Sequence, residues 1–255
     1  MPARAKSLDP VVYPETDHMG EHELQRFIAE LLRPMIERYL KSRGVVAHVG
    51  ADTFLYFAKG DPTQRVAPDV YVLEGVSQDL AVSSWKLWEG TPAPKFALEV
   101  VTSDALKDYD DIHAIFGRIG GHELVLFDPE ARPTSRKRAR FTVFRRGAQG
   151  FQLVERTHGD RVQSEALGCF LRAVGEGASR RVRLATGEHG DVLFPTEAEA
   201  LEAGRAAAEA ARASAEEARA SAEEARASAE EARAGAEAEN ARLRAELEEL
   251  RRRRG

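Results

Sequence analysis

The chain has 255 residues, of which 43% are hydrophobic, and a formal net charge of -5. That balance fits one good-sized soluble domain with an additional segment, and it excludes both a strongly basic nucleic-acid binder and an acidic disordered chain. A single cysteine, Cys169, excludes an internal disulfide and a thiolate metal cluster, and no apolar run reaches the roughly 18 residues of a membrane span.

Residues 1–20 are polar and contain prolines, which predicts a flexible N-terminal segment without a signal-peptide core. From Glu21 the apolar residues Leu24, Phe27, Ile28, Leu31, Leu32, Met35, Ile36 and Leu40 recur at three- and four-residue intervals, the pattern of a helix with one buried face. Gly44 stops it. Val45–Val49 and Thr53–Phe57 read as short strands, and Val70–Leu73 is a strand entered through Pro68-Asp69. Residues 76–94 form a longer connection holding Trp85 and Trp88, followed by a strand over Phe96–Val101. Ser103 is a fair N-cap for a helix carrying Leu106, Tyr109, Ile112, Phe116 and Ile119, ended by Gly120-Gly121. Glu123–Phe127 is a strand, and Phe141–Phe144 with Phe151–Val154 form a hairpin. A strand–helix–strand step among antiparallel elements predicts an α/β fold, a mixed sheet flanked by helices, over residues 21–195.

The tail, 196–255, is of another kind. The heptad Ala-Arg-Ala-Ser-Ala-Glu-Glu repeats from Ala211, Ala218 and Ala225. Alanines from Ala211 to Ala236 alternate spacings of four and three, as a coiled-coil seam does. Asn240 follows as a stutter, and Leu243, Leu247 and Leu250 resume the alternation. The leucines bury more area than the alanines and are the stronger part of the seam. Two readings stand: self-association into a homo-oligomer through residues 205–250, or a solvated single helix supported by alanine propensity and Glu–Arg pairs.

Two carboxylates carry the chemistry. Glu99 sits in the apolar run Lys95-Phe-Ala-Leu-Glu-Val-Val101, and Asp69 opens another such run. An ionised side chain left in a core costs several kcal/mol unless something binds it. On neighbouring strands the two would lie about 5 Å apart, within reach of one divalent cation. Asp69 shares a strand face with Tyr71 and Leu73, and Glu99 with Ala97 and Val101. Mg2+, or Mn2+ in its place, suits such an all-oxygen site, where it polarises a phosphodiester and lowers the pKa of a bound water. Lys107, early in the following helix, is the candidate cation for the transition state. Between Glu130 and Glu155 there is no acid, while Arg136, Lys137, Arg138, Arg140, Arg145 and Arg146 fall inside the gap. They are candidates for phosphate contacts, or else a solvated hairpin. Cys169 reads as core rather than nucleophile.

The order Val-Ala-Pro-Asp69-Val-Tyr-Val, then Phe-Ala-Leu-Glu99-Val-Val-Thr-Ser, then a helix, then Gly-Gly-His-Glu-Leu-Val-Leu-Phe-Asp-Pro resembles the Uma-two family of restriction endonucleases, in the PD-(D/E)XK nuclease superfamily. The likeness covers roughly residues 8–195. It implies a restriction-endonuclease-like mixed sheet and a cytoplasmic, magnesium-dependent enzyme hydrolysing DNA. Asp69 and Glu99 then take the places of the motif acids and metal ligands, and Glu21 and His22 resemble accessory positions facing the cleft. The sequence departs from the pattern at the lysine two residues after the Glu, where Val101 stands, and at the lysine on the following helix, where Ile112 stands. Lys107 is then a migrated substitute. The alternative is a nuclease-fold scaffold without catalysis that oligomerises through its tail.

Overall fold

The structure, a computed structural model, describes residues 23–101 and 108–254. The N-terminal segment, Glu21, His22, Ser103, Leu106 and Lys107 lie outside the described residues, as do the side chains of Leu24 and Tyr109. The chain divides into two units, a body ending at Glu197 and a tail from Ala198.

In the body, the first apolar stripe folds as α1 (Glu23–Ser42), burying Ile28, Leu32, Met35, Ile36 and Leu40. The chain leaves it through Gly44 at φ +71°, a left-handed turn that glycine takes without strain. Phe27, expected in the stripe, is 40% exposed. It lies at the stripe's edge, where the guanidiniums of Arg26 and Arg181 each approach its ring to 5.7 Å.

The strands follow as β1 (Ala47–Gly50), β2 (Phe54–Tyr56), β3 (Arg65–Val66), β4 (Val70–Glu74), β5 (Ser84–Lys86) and β6 (Phe96–Val100). Then come α2 (Asp108–Arg118), β7 (Glu123–Phe127), β8 (Phe141–Gly147) and β9 (Gly150–Thr157). The main sheet has the order β1-β4-β6-β7-β8-β9 and is antiparallel except for β6 and β7. Those two are parallel because α2 carries the chain back between them. The long connection expected over 76–94 holds a strand after all: β5 pairs in parallel with β2 in a small sheet, β3-β2-β5. The hairpin strands also run longer than expected, so Arg145 and Arg146 belong to β8 and not to its loop.

A second sheet, not foreseen as strands, is made of β10 (Arg161–Ser164), β11 (Cys169–Val174), β12 (Arg181–Thr186) and β13 (Val192–Leu193). It closes one side of the main sheet. Val70, Val72, Phe96, Leu98 and Val100 point into an apolar layer shared with α1 and with Leu171, Val182 and Leu184. Their neighbours Tyr71, Leu73, Ala97 and Val101 point the other way, into a layer with Trp85 and Phe116. The period of two thus sorts each strand between two cores.

Tyr71 fixes that second layer by accepting a hydrogen bond from the Trp85 indole at 2.7 Å. Its ring lies against Gly50, where an added Cβ would meet the phenol carbon at 2.3 Å. Gly50→Ala therefore forces a buried ring out of place. The expected cost is about 1–3 kcal/mol of overpacking, read as a lower urea midpoint with an unchanged slope.

The tail is α3 (Glu197–Arg254), a single helix of 58 residues, about 87 Å long at 1.5 Å per residue. It carries i,i+4 pairs, Arg233–Glu237 at 2.9 Å and Arg242–Glu246 at 3.2 Å. Leu243, Leu247 and Leu250 are more than half exposed on it.

Candidate active site

The register of β4 against β6 pairs Val70 with Leu98 and Tyr71 with Ala97. One step further places Asp69 directly opposite Glu99 on the face of Tyr71 and Ala97, a cross-strand pair with Cβ atoms about 4.5–5.5 Å apart. The two acids, thirty positions apart in the chain, are thus neighbours. Pro68 forces an extended entry into β4 and lends its carbonyl to the Asp52 N–H at 3.0 Å. Asp69 is 5% exposed, and its Oδ2 accepts the Val100 N–H at 2.6 Å. That bond gives the Val100 N–H its acceptor at the strand end and holds the Asp69 carboxylate against β6. Glu99 is half-buried, with its Oε1 shielded from solvent.

Gln25 reaches over from α1, its Nε2 3.4 Å from the Val100 carbonyl oxygen. Nothing in the sequence singled it out, since a glutamine on a helix face carries no signal of its own. The donors gathered here, two carboxylates with a backbone carbonyl beside them, are all oxygens, the set that fits magnesium or manganese. Among the described residues no group of three or more His, Cys, Asp or Glu could hold a metal ion. An ion at this pair would therefore keep water or substrate oxygens in its other positions, as magnesium does.

The lysine positions of the motif are apolar in space as well as in sequence. Val101 is 6% exposed within the second core layer, and its N–H is given to Phe127. Ile112 packs against the same layer from α2.

The basic residues sort into two groups. Arg136 and Lys137 are exposed. The others donate to groups of the chain itself. Arg138 clasps the fully buried Asp128 with Nε at 2.6 Å and Nη2 at 2.7 Å. Arg140 donates to the carbonyls of His158 and Gly159. Arg145 donates to Glu123 at 2.8 Å and Glu165 at 2.6 Å, and Arg146 to the carbonyls of Gly121 and Gly117. A carboxylate or carbonyl held this way positions its arginine regardless of any ligand. Cys169 is buried in β11, which pushes its thiol up to about 12 and leaves it inert as a nucleophile.

Among solved structures, the chain is similar to one described as a "putative nuclease belonging to DUF820 from Anabaena variabilis ATCC 29413". The identity is 13%, the TM-score 0.39, and the match covers 59% of this chain and 75% of that one. No curated protein matches the chain. The model of the Uma2 family, described as "Putative restriction endonuclease", matches residues 12–173. That span is more than half of the chain, and with it the mixed sheet and its flanking helices find their class: the protein belongs to the Uma2 family, with a restriction-endonuclease-like α/β fold.

Proposed function

We propose that the protein is a divalent-metal-dependent endonuclease that hydrolyses DNA phosphodiester bonds, with Asp69 and Glu99 as its metal ligands. The observation that carries this reading is the cross-strand pairing of the two acids on one face, at the end of β6. When bound, a magnesium or manganese ion supplies Lewis-acid polarisation of the phosphodiester and a water acidified toward neutral pH. The Val100 N–H holds the Asp69 carboxylate in one orientation before substrate arrives. Such preorganisation lowers the reorganisation needed in the transition state. Glu99 approaches the same place from the facing strand, and the apolar face beyond it keeps the local dielectric low, so charge placed there is strongly felt. Lys107, outside the described residues, is the cation proposed to orient the attacking water.

Plasmid DNA incubated with magnesium, beside an Asp69→Ala control, tests the proposal. Nicking by the unaltered chain alone supports it. A specific observation favours a second reading: where the motif carries lysine, Val101 is buried in the core and Ile112, half-buried, packs against it. Absence of cleavage across DNA and RNA substrates, with binding retained, selects the nuclease-fold scaffold instead.

The tail is assigned self-association, its seam being the alanines from Ala211 onward and the leucines Leu243, Leu247 and Leu250. A pair of chains would offer two sites to the two strands of a duplex. Sedimentation of the full chain is expected to show a species larger than one chain. Substituting the three leucines by alanine should shift it toward the monomer, because each leucine buries more apolar area than an alanine of the seam. A monomer in both cases leaves the tail as a solvated single helix.

A further inference from the structure

A cleft of about 780 Å³ opens beside β7 and β8, walled by Glu130, Arg132, Arg138, Arg140 and Arg180. We propose that Arg132, Arg140 and Arg180 form a phosphate-binding subsite there, which takes the sugar–phosphate backbone of the polynucleotide next to the cleaved bond. The ligand's identity rests on the nuclease reading above; the charge and geometry of the cleft do not.

The charge of the cleft is uneven. Arg138 is matched by Asp128, and Glu130, 59% exposed, leans toward Arg138 at 3.7 Å. Arg132, Arg140 and Arg180 remain as an excess of positive charge. Two of them are held by neutral groups, Arg140 by the His158 and Gly159 carbonyls and Arg180 by the Pro129 carbonyl. Carbonyls fix a guanidinium without cancelling its charge. The Arg140 Nε is buried and has no acceptor among the described residues. A buried cationic N–H of this kind is costly to leave unmatched, and a phosphate oxygen is the acceptor that suits it. Burial first, and then the nearby charge of Arg180, lower the pKa of Arg140 against the opposing charge of Asp160, so the two guanidiniums repel where an anion would bridge them.

Position gives the cleft its partner. Glu99 pairs with Leu126, and Leu126 with Thr142. Arg140 precedes Thr142 by two residues, so it stands at the sheet edge that carries Asp69 and Glu99, two strands across. Two strand spacings are about 10 Å, the axial length of about three nucleotides of one strand. The sequence could not bring Arg180 here, because it arrives from the second sheet. Arg132 stood in the acid-free gap but looked no different from its neighbours.

The test is binding, measured without cleavage. Fluorescence anisotropy of a labelled DNA duplex is followed with the full chain in EDTA, for wild type, Arg132→Gln, Arg140→Gln and Arg180→Gln, over a range of salt. Each substitution is expected to weaken binding about five- to tenfold and to reduce the slope of log K against log salt by about one. Binding in EDTA is read without turnover, so a loss of affinity in the arginine variants is distinguishable from a loss of cleavage in Asp69→Ala. Arg132 is exposed, so its variant keeps the fold even where Arg140→Gln does not. Unchanged affinity in Arg132→Gln and Arg180→Gln overturns the subsite. So does binding of inorganic phosphate, lost in these variants, by a chain whose DNA affinity they do not alter.

Discussion

Glu99→Gln is expected to lose magnesium-dependent cleavage while keeping the stability of the parent chain. Glutamine has nearly the same shape, and Glu99 is only half-buried, so the fold should change by no more than about 1 kcal/mol. The charge that attracts a divalent ion is gone, however. Charge stabilisation of this kind is worth several kcal/mol in the transition state, and each 1.36 kcal/mol is about tenfold in rate. A fall of at least about a hundredfold follows. Asp69→Ala should lose cleavage equally but behave differently as a folded protein. Its carboxylate is the acceptor for the buried Val100 N–H at 2.6 Å, and a buried donor left without one costs about 1–3 kcal/mol. Thermal melts add a readout independent of turnover. Magnesium should raise the melting temperature of the wild type and leave both variants unmoved, since an ion that binds only the folded state stabilises it in proportion to its occupancy. Full activity in Glu99→Gln would remove the two-carboxylate site.

The pair could be read from the chain because the relevant physics is local on each strand. An acid inside an apolar alternation stands out, and the alternation itself tells which face it shares with Tyr71 or Ala97. Strand pairing is the step that the sequence leaves open, and here β4 and β6 do pair, in the register that makes Asp69 and Glu99 opposite. The first helix, β7 and the hairpin were legible for the same reason, each having a clear period. The second sheet was not. In Arg181-Val-Arg-Leu-Ala-Thr186 the alternation is spent on half-buried arginines, and Cys169-Phe-Leu-Arg-Ala-Val174 does not alternate apolar with polar. Strand β5 was hidden as well, because three residues are too few to show a period and what holds them is the burial of Trp85. The basic cluster misleads for a different reason. A guanidinium in solvent and one clasping a buried carboxylate look identical in sequence, and only the partner, Asp128 or Glu123, tells them apart.

Glu123 shows where the argument from buried charge must stop, and it yields the largest expected effect on stability. Like Glu99 it is an acid in an apolar strand, Glu123-Leu-Val-Leu-Phe127, and it is fully buried. Yet β7 pairs Glu123 with Phe96 and Leu126 with Glu99, so the two acids stand at opposite ends of the parallel pair. The Glu123 carboxylate is matched on the spot: it accepts from the Ser164 hydroxyl, from the Glu165 N–H at 3.0 Å and from the Arg145 Nε at 2.8 Å. Ser164 and Glu165 lie at the end of β10, so this one side chain fastens the second sheet to the first. Removing one partner of a buried ion pair costs about 3–5 kcal/mol, because the rest are left without it. Glu123→Ala is expected toward the lower end, since Arg145 keeps Glu165 at 2.6 Å. Ser164→Ala, which loses one neutral donor, should cost about 1 kcal/mol. Urea denaturation checks both, as a fall in midpoint. DNA binding and any cleavage per folded molecule should stay at the wild-type level in Ser164→Ala and in the folded fraction of Glu123→Ala, because neither residue lies at the Asp69 edge. Loss of cleavage in a stably folded Glu123 variant would instead move the catalytic acids to this end of the sheet.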